Sequence, residues 1–173
     1  ECLKKSPEDY DHIWMGKPLE KSEDAVFAME ELVATSLDRY QLRESYGLRL
    51  AGFDVARFGD DKCAVVIIQQ MGALHWEVIH VQQWGQKDTI YSAGLFHQIY
   101  NDFKCERGIV DEDGLGGPVL DNLNRDRGAK AFIGFRNPSI SYLINKDYAN
   151  NRTVNTYKLK DMVTKRHIAI TDK

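Results

Sequence analysis

A chain of 173 residues is long enough for one ordinary domain with a real core plus some peripheral segment, and too short for a second full domain. With 43% hydrophobic and 28% charged residues it has the composition of a folded globular protein, which excludes a largely disordered chain. A formal charge of −3 excludes a globally basic nucleic-acid module and leaves only local basic patches for such a role.

Taken in chain order, Ser6, Pro7, Glu8 and Asp9 combine an N-cap, a first-turn proline and first-turn acids, which predicts a short helix to about Met15, closed by Gly16. Ser22, Glu23 and Asp24 open a second helix through Leu37, with Val26, Met29, Leu32, Val33 and Leu37 at helical spacing as its packed stripe. Residues 1–46 therefore read as a helical lead-in to a sheet domain over 47–173.

In Leu48–Gln70 (LRLAGFDVARFGDDKCAVVIIQQ), Leu48, Leu50, Gly52 and Asp54 share one face at a period of two and Arg49, Ala51 and Phe53 the other, as in a strand covered largely on both sides. Turn chemistry over Arg57–Asp61 and the β-branched run Ala64–Ile68 complete a hairpin, and Leu74–Trp84 adds a third antiparallel strand. Thr89–Lys104 then takes helical periodicity, with Asp88 or Thr89 as cap and Ile90, Ala93, Leu95 or Phe96, Ile99, Tyr100 and Phe103 buried. A short strand Gly108–Asp111, a Gly-rich turn, a helix to about Asp126 and a strand Ala131–Phe135 follow, so the order is βββαβαβ, a meander followed by crossovers that imply parallel pairing. Residues 136–156 are polar and read as an insertion, a β-ribbon or mobile loop, after which Tyr157–Thr164 makes one or two helical turns and His167–Ile170 a last short strand.

Cys2, Cys63 and Cys105 lack the spacing that zinc needs; Cys63 and Cys105, beside apolar runs, are expected to be reduced core residues in a reducing, cytoplasmic compartment. No apolar run approaches a membrane span, and the chain starts without Met, as expected of a piece of something longer.

Asp54 taken alone reads more simply as a strand-end or turn residue than as a catalyst. Topology changes that reading. In a βββαβαβ order the first strand lies centrally with the strand after the first helix as its parallel neighbour, which sets Asp54 beside Asp111. Two carboxylates about 4–6 Å apart repel unless a cation lies between them, and oxygen-only ligation favours Mg²⁺ or Mn²⁺. Such a site suits phosphodiester hydrolysis, with two ions about 3.5–4 Å apart in its complete form. The turn Asp113–Gly117 either lets backbone approach a phosphate or simply makes a tight turn before a helix. No Walker pattern occurs, so the chain is not expected to bind ATP by itself.

The runs LAGFDVARFGDDKCAVVII and GIVDEDGLGGPVLDNL, with SPEDYDHIWMGKP in the lead-in, together resemble the C-terminal nuclease domain of the large terminase subunit of tailed bacteriophages. The resemblance covers most of the chain and implies a ribonuclease H-like fold. It implies cutting of concatemeric double-stranded DNA with divalent metal to start and end genome packaging, beside an N-terminal ATPase motor, a portal protein and a small terminase subunit. The setting it implies is the cytoplasm of the infected host, at the procapsid. Carried over by residue, Asp54 matches the first ligand and Asp111 the second, with Glu112 and Asp113 as competitors; Asp61 fits better as a turn residue or a support for a ligand. The family's third acid opens a late helix in a Ser/Pro-Asp-x-x-Asp-Ala-like segment, and none precedes Lys173, so the chain is expected to be truncated ahead of it. Arg57, Lys158, Lys160, Lys165 and Arg166 are candidate phosphate contacts of the sequence-independent kind. Two other readings stay open, a noncatalytic ribonuclease H-like binding module and a resolvase or recombinase.

Overall fold

The computed structural model describes residues 25–37, 47–56, 61–85, 87–125, 131–137 and 148–170. Its elements in chain order are α1 (Met29–Leu37), β1 (Arg49–Asp54), β2 (Cys63–Gln70), β3 (Trp76–Trp84), α2 (Thr89–Asp102), β4 (Arg107–Asp111), α3 (Gly116–Asn124), β5 (Phe132–Phe135), α4 (Asn151–Thr164) and β6 (Ile168–Ile170). The helix expected over Ser6–Met15 and the residue Arg57 lie outside the described residues.

One six-stranded sheet runs in the order β5-β4-β1-β2-β3-β6. β1, β2 and β3 form the expected antiparallel meander, and β4 joins β1 in parallel with Leu50 opposite Arg107 and Phe53 opposite Val110. β5 continues the parallel run beyond β4, while β6 pairs in parallel with β3 at the opposite edge. β2, CAVVIIQQ, alternates buried and half-buried side chains, as β-branched residues do between two paired neighbours, and its register against β3 shifts between Ile67 and Ile68.

Alternation divides the sheet into two faces. On one, Ala51, Phe53, Cys63, Val65, Ile67, Val110 and Phe132 pack with Ala93, Phe96, Ile99 and Tyr100 of α2 and Val119 and Leu123 of α3. Phe96 sits at the centre, its ring 4.5 Å from Phe53 and 5.5 Å from Phe132. Asp88 caps α2 by accepting from the Tyr91 amide at 2.7 Å. Ile90 faces solvent instead of the core, one turn ahead of the first well-packed position. Cys63 and Cys105 are free and buried, as expected.

Among the described residues the other face is covered over β2, β3 and β6, where Val78, Val163 and Ile168 gather Phe27, Leu32, Val66, Ile68, Trp76 and Met162. That cover comes from α1 and α4. The stripe expected for α1 holds at Leu32, which turns inward, and is corrected elsewhere: Met29 and Val33 are exposed, and Phe27 and Thr35 turn inward. Over β1 the same face is open, so Gly52 and Asp54 are exposed while Ala51 and Phe53 are buried. β1 is therefore not covered on both sides, which departs from the reading of its apolar run.

The largest correction concerns the end of the segment 136–156, of which 138–147 lie outside the described residues. Residues 151–156 are helix, and α4 is fourteen residues long where one or two turns were expected. The paired asparagines that read as loop are a helix start: the Asn150 side chain accepts from the Thr153 amide at 2.9 Å and from its hydroxyl at 3.0 Å. Asn150→Ala is expected to cost about 1 kcal/mol of stability, measured as a shift in the urea midpoint. A variant as stable as its parent would show that the helix starts without this cap.

Candidate active site

β1 and β4 deliver the two acids. The parallel register that sets Phe53 opposite Val110 continues one residue further to Asp54 and Asp111, so both leave the sheet at its C-terminal end on the open face. This is the neighbourhood expected from topology. Although Asp54 is exposed along the strand, surrounding protein strips enough water from its carboxyl to push it above its usual range. The Asp111 charge pushes the same way, Arg152 opposes, and Asp61 adds a further upward push. Among the described residues none donates a hydrogen bond to Asp54.

Asp111 is the opposite case. Its Oδ1 accepts from the Asp113 amide at 3.0 Å, and its Oδ2 accepts from Asn137 Nδ2 at 2.7 Å. Asp113 is turned away: its Oδ2 accepts from the Asn137 amide at 3.1 Å. Glu112 lies on the other side of the sheet, its carboxylate over Gly134 and close to Leu120 of α3. It pairs with Arg136 at 2.9 Å, and that hydrogen bond holds the Glu112 carboxyl below its usual range. The three consecutive acids thus have three different surroundings.

The glycines after them serve close approach. Gly114 has φ +69°, a left-handed conformation, and a β-carbon on Gly116 would run into the Asp111 carbonyl oxygen. The first turn of α3 is therefore seated directly on the backbone of the second acid.

α4 begins at this site, where Asn151 Nδ2 donates to the Arg136 carbonyl at 3.0 Å and the Arg152 amide to the Asn137 carbonyl at 3.3 Å. Asn137 and Asn151 were not foreseen as parts of the site. Their sequence signal was weak, a polar run in which asparagine reads as turn chemistry. Lys158 and Lys160 lie further along α4, lining a groove with Tyr148 and Tyr157. Lys165 pairs with Asp161 at 2.8 Å at the far end of the helix, about 20 Å from its start at 1.5 Å per residue, and Arg166 follows with φ +55°.

Asp54 and Asp111 fit a hard cation in type: two oxygen donors, one oriented and one exposed to its partner's charge without compensating hydrogen bonds. Mg²⁺ is commonly held by one or two carboxylates with water or phosphate completing the shell. Among the described residues no group of three His, Cys, Asp or Glu is placed to hold a metal. Also among the described residues, no helix is long and apolar enough to cross a membrane.

No protein-family model matches the chain, and no curated protein matches its sequence. Solved structures do match its fold. The nuclease domain of the large terminase subunit of bacterial virus Sf6 matches with a TM-score of 0.64 at 13% identity, over 85% of this chain and 74% of that one. A point variant of that domain with manganese and β-thujaplicinol gives 0.67 at 14% identity over the same shares. The large terminase nuclease of thermophilic phage G20c with bound magnesium gives 0.55 at 10% identity, over 73% of this chain and 59% of that one. At such identities the likeness establishes the fold, the ribonuclease H-like mixed sheet expected from the sequence.

Proposed function

We propose that this chain is the metal-dependent endonuclease domain of a viral DNA-packaging terminase, hydrolysing phosphodiesters of concatemeric double-stranded DNA to start and end packaging. The observation that carries the reading is the juxtaposition of Asp54 and Asp111 at neighbouring strand ends on an open sheet face. The shared fold with terminase nuclease domains, solved with manganese in one case and magnesium in another, supports it.

In this reading Asp54 and Asp111 hold Mg²⁺ or Mn²⁺, two ions in the complete site. When bound, the metal supplies an activated water and neutralises charge at the leaving oxygen. Asp111 presents a fixed carboxylate, and Arg152 sets positive charge beside Asp54, where a DNA phosphate would approach. Glu112 is engaged by Arg136 on the opposite face and takes no part, and Asp113 orients Asp111 through its amide. Lys158 and Lys160 extend the phosphate path along α4, with Arg57, Lys165 and Arg166 as more distant contacts. The motor of the same polypeptide, the portal protein and the small terminase subunit complete the assembly at the procapsid in the host cytoplasm.

Supercoiled plasmid incubated with the chain and Mn²⁺ is expected to be nicked and linearised, with chelator stopping the reaction. Asp111→Ala is expected to lose at least about 100-fold in rate, and Glu112→Ala to stay within about twofold of the parent. Equal losses from both substitutions would reject Asp111 as the distinguishing ligand, cleavage untouched by either would remove these acids from the mechanism, and a parent that cuts nothing would favour the noncatalytic module.

A further inference from the structure

Asn137 sits where three segments of the site meet, one residue beyond Arg136 and two beyond the end of β5. Its backbone amide donates to Asp113 Oδ2 at 3.1 Å, and its carbonyl accepts from the Arg152 amide at 3.3 Å, in the first turn of α4. Those two contacts tie β5 to the turn after β4 and to the start of α4, and any residue type could make them. The third contact needs a side chain: Asn137 Nδ2 donates to Asp111 Oδ2 at 2.7 Å, at the short end for an N–H···O bond.

We infer that Asn137 is a positioning residue that locks the Asp111 carboxylate in its metal-facing orientation; the inference rests on the reading of Asp54 and Asp111 as metal ligands. Asp111 Oδ1 is held by the Asp113 amide and Oδ2 by the Asn137 amide group, so the carboxylate is braced from both ends and cannot swing about its terminal torsion without breaking one bond. Each oxygen keeps a second lone pair for a cation. The Asp113 carboxylate, accepting from the Asn137 amide, in turn holds the brace in place. A carboxamide suits the position because it donates without adding a further negative charge beside two acids. Pro138 follows in the sequence, and a residue before proline is biased away from the α region, which narrows the conformations Asn137 gives up when it closes the brace. Asp54 has no such brace among the described residues, which makes the pair asymmetric: Asp111 is preset and Asp54 adapts.

The test is Mn²⁺ binding by isothermal titration of the whole chain and its Asn137→Ala, Asn137→Ser and Asp54→Ala variants, with the thermal midpoint of each metal-free form recorded. Asn137→Ala is expected to weaken Mn²⁺ binding by about 10–100-fold while its metal-free midpoint stays close to the parent's, since both backbone contacts survive. Asn137→Ser, which retains a short donor, is expected to recover part of that loss. Parental affinity in Asn137→Ala, with binding lost in Asp54→Ala, would overturn the positioning role and leave the metal reading standing. A parent that binds no Mn²⁺ would overturn both. A midpoint that collapses in Asn137→Ala, with no recovery of affinity in Asn137→Ser, would assign the residue to the fold alone and overturn the inference.

Discussion

Asp54→Asn is expected to reduce Mn²⁺-dependent plasmid cleavage by at least about 100-fold and at the same time to raise the metal-free thermal midpoint at pH 7. The first effect follows from removing one of the two charged oxygen donors that this pair would offer a divalent ion. The second follows from the direction in which the Asp54 carboxyl is displaced. Burial and the Asp111 charge raise it above its ordinary value of 3.8, so over the interval between that value and the raised one the native state binds more protons than the unfolded chain. Stability therefore falls as pH rises through that interval and stays lowered at neutral pH. Asparagine carries no charge to desolvate or repel, and the gap between variant and parent is expected to close as pH drops below about 3.8. Added Mn²⁺ is expected to raise the parent's midpoint by mass action and to leave the variant's nearly unchanged. A variant less stable than the metal-free parent at pH 7 would show that Asp54 belongs to the fold and is not held there at a cost.

Gly116→Ala is expected to be the most damaging single-methyl change in the molecule, lowering stability by about 1–3 kcal/mol or more and taking cleavage down with it. The added carbon would meet the Asp111 carbonyl oxygen and come within 2.7 Å of its carbonyl carbon. Neither can move aside, because Asp111 is paired with Phe135 across the sheet and the Glu112 amide donates to the Phe135 carbonyl at 2.8 Å. Either α3 lifts off the core at Val119 and Leu123 or the end of β4 bends, and bending displaces the acid. Gly94→Ala is the control. Its added carbon would meet nothing within 4 Å, and it lies exposed in the interior of α2, where alanine is favoured over glycine by about 1 kcal/mol, so this variant is expected to be as stable as the parent or more so. Urea midpoints for the two variants decide it; equal behaviour would remove the close packing of α3 on Asp111 as the reason for the glycine.

The sheet was legible because its signals are local. Alternation in Arg49–Asp54 and Cys63–Gln70, helical spacing in Thr89–Asp102 and the order of these elements lead to a meander followed by parallel strands with little else consistent. The start of α4 was not legible, because Asn150 and Asn151 carry turn chemistry, and the same side chain that closes a turn caps a helix when a tertiary surface waits for that helix. The stripe of α1 failed for a related reason: spacing marks a face, and only the position of α4 and β6 decides which face is covered.

The candidate site divides along the same line. From the sequence alone came the acids Asp54 and Asp111, their adjacency through strand order, and the class of cation two carboxylates would hold, since residue type and topology suffice for those. Tertiary structure alone separated the surroundings of Asp111 from those of Glu112 and Asp113, through alternation across the sheet and the Arg136 pairing, and brought Asn137 to the acids. Those residues come from segments that meet only after the sheet has closed, and a hydrogen bond between distant segments leaves no periodicity in the chain for a reader to find.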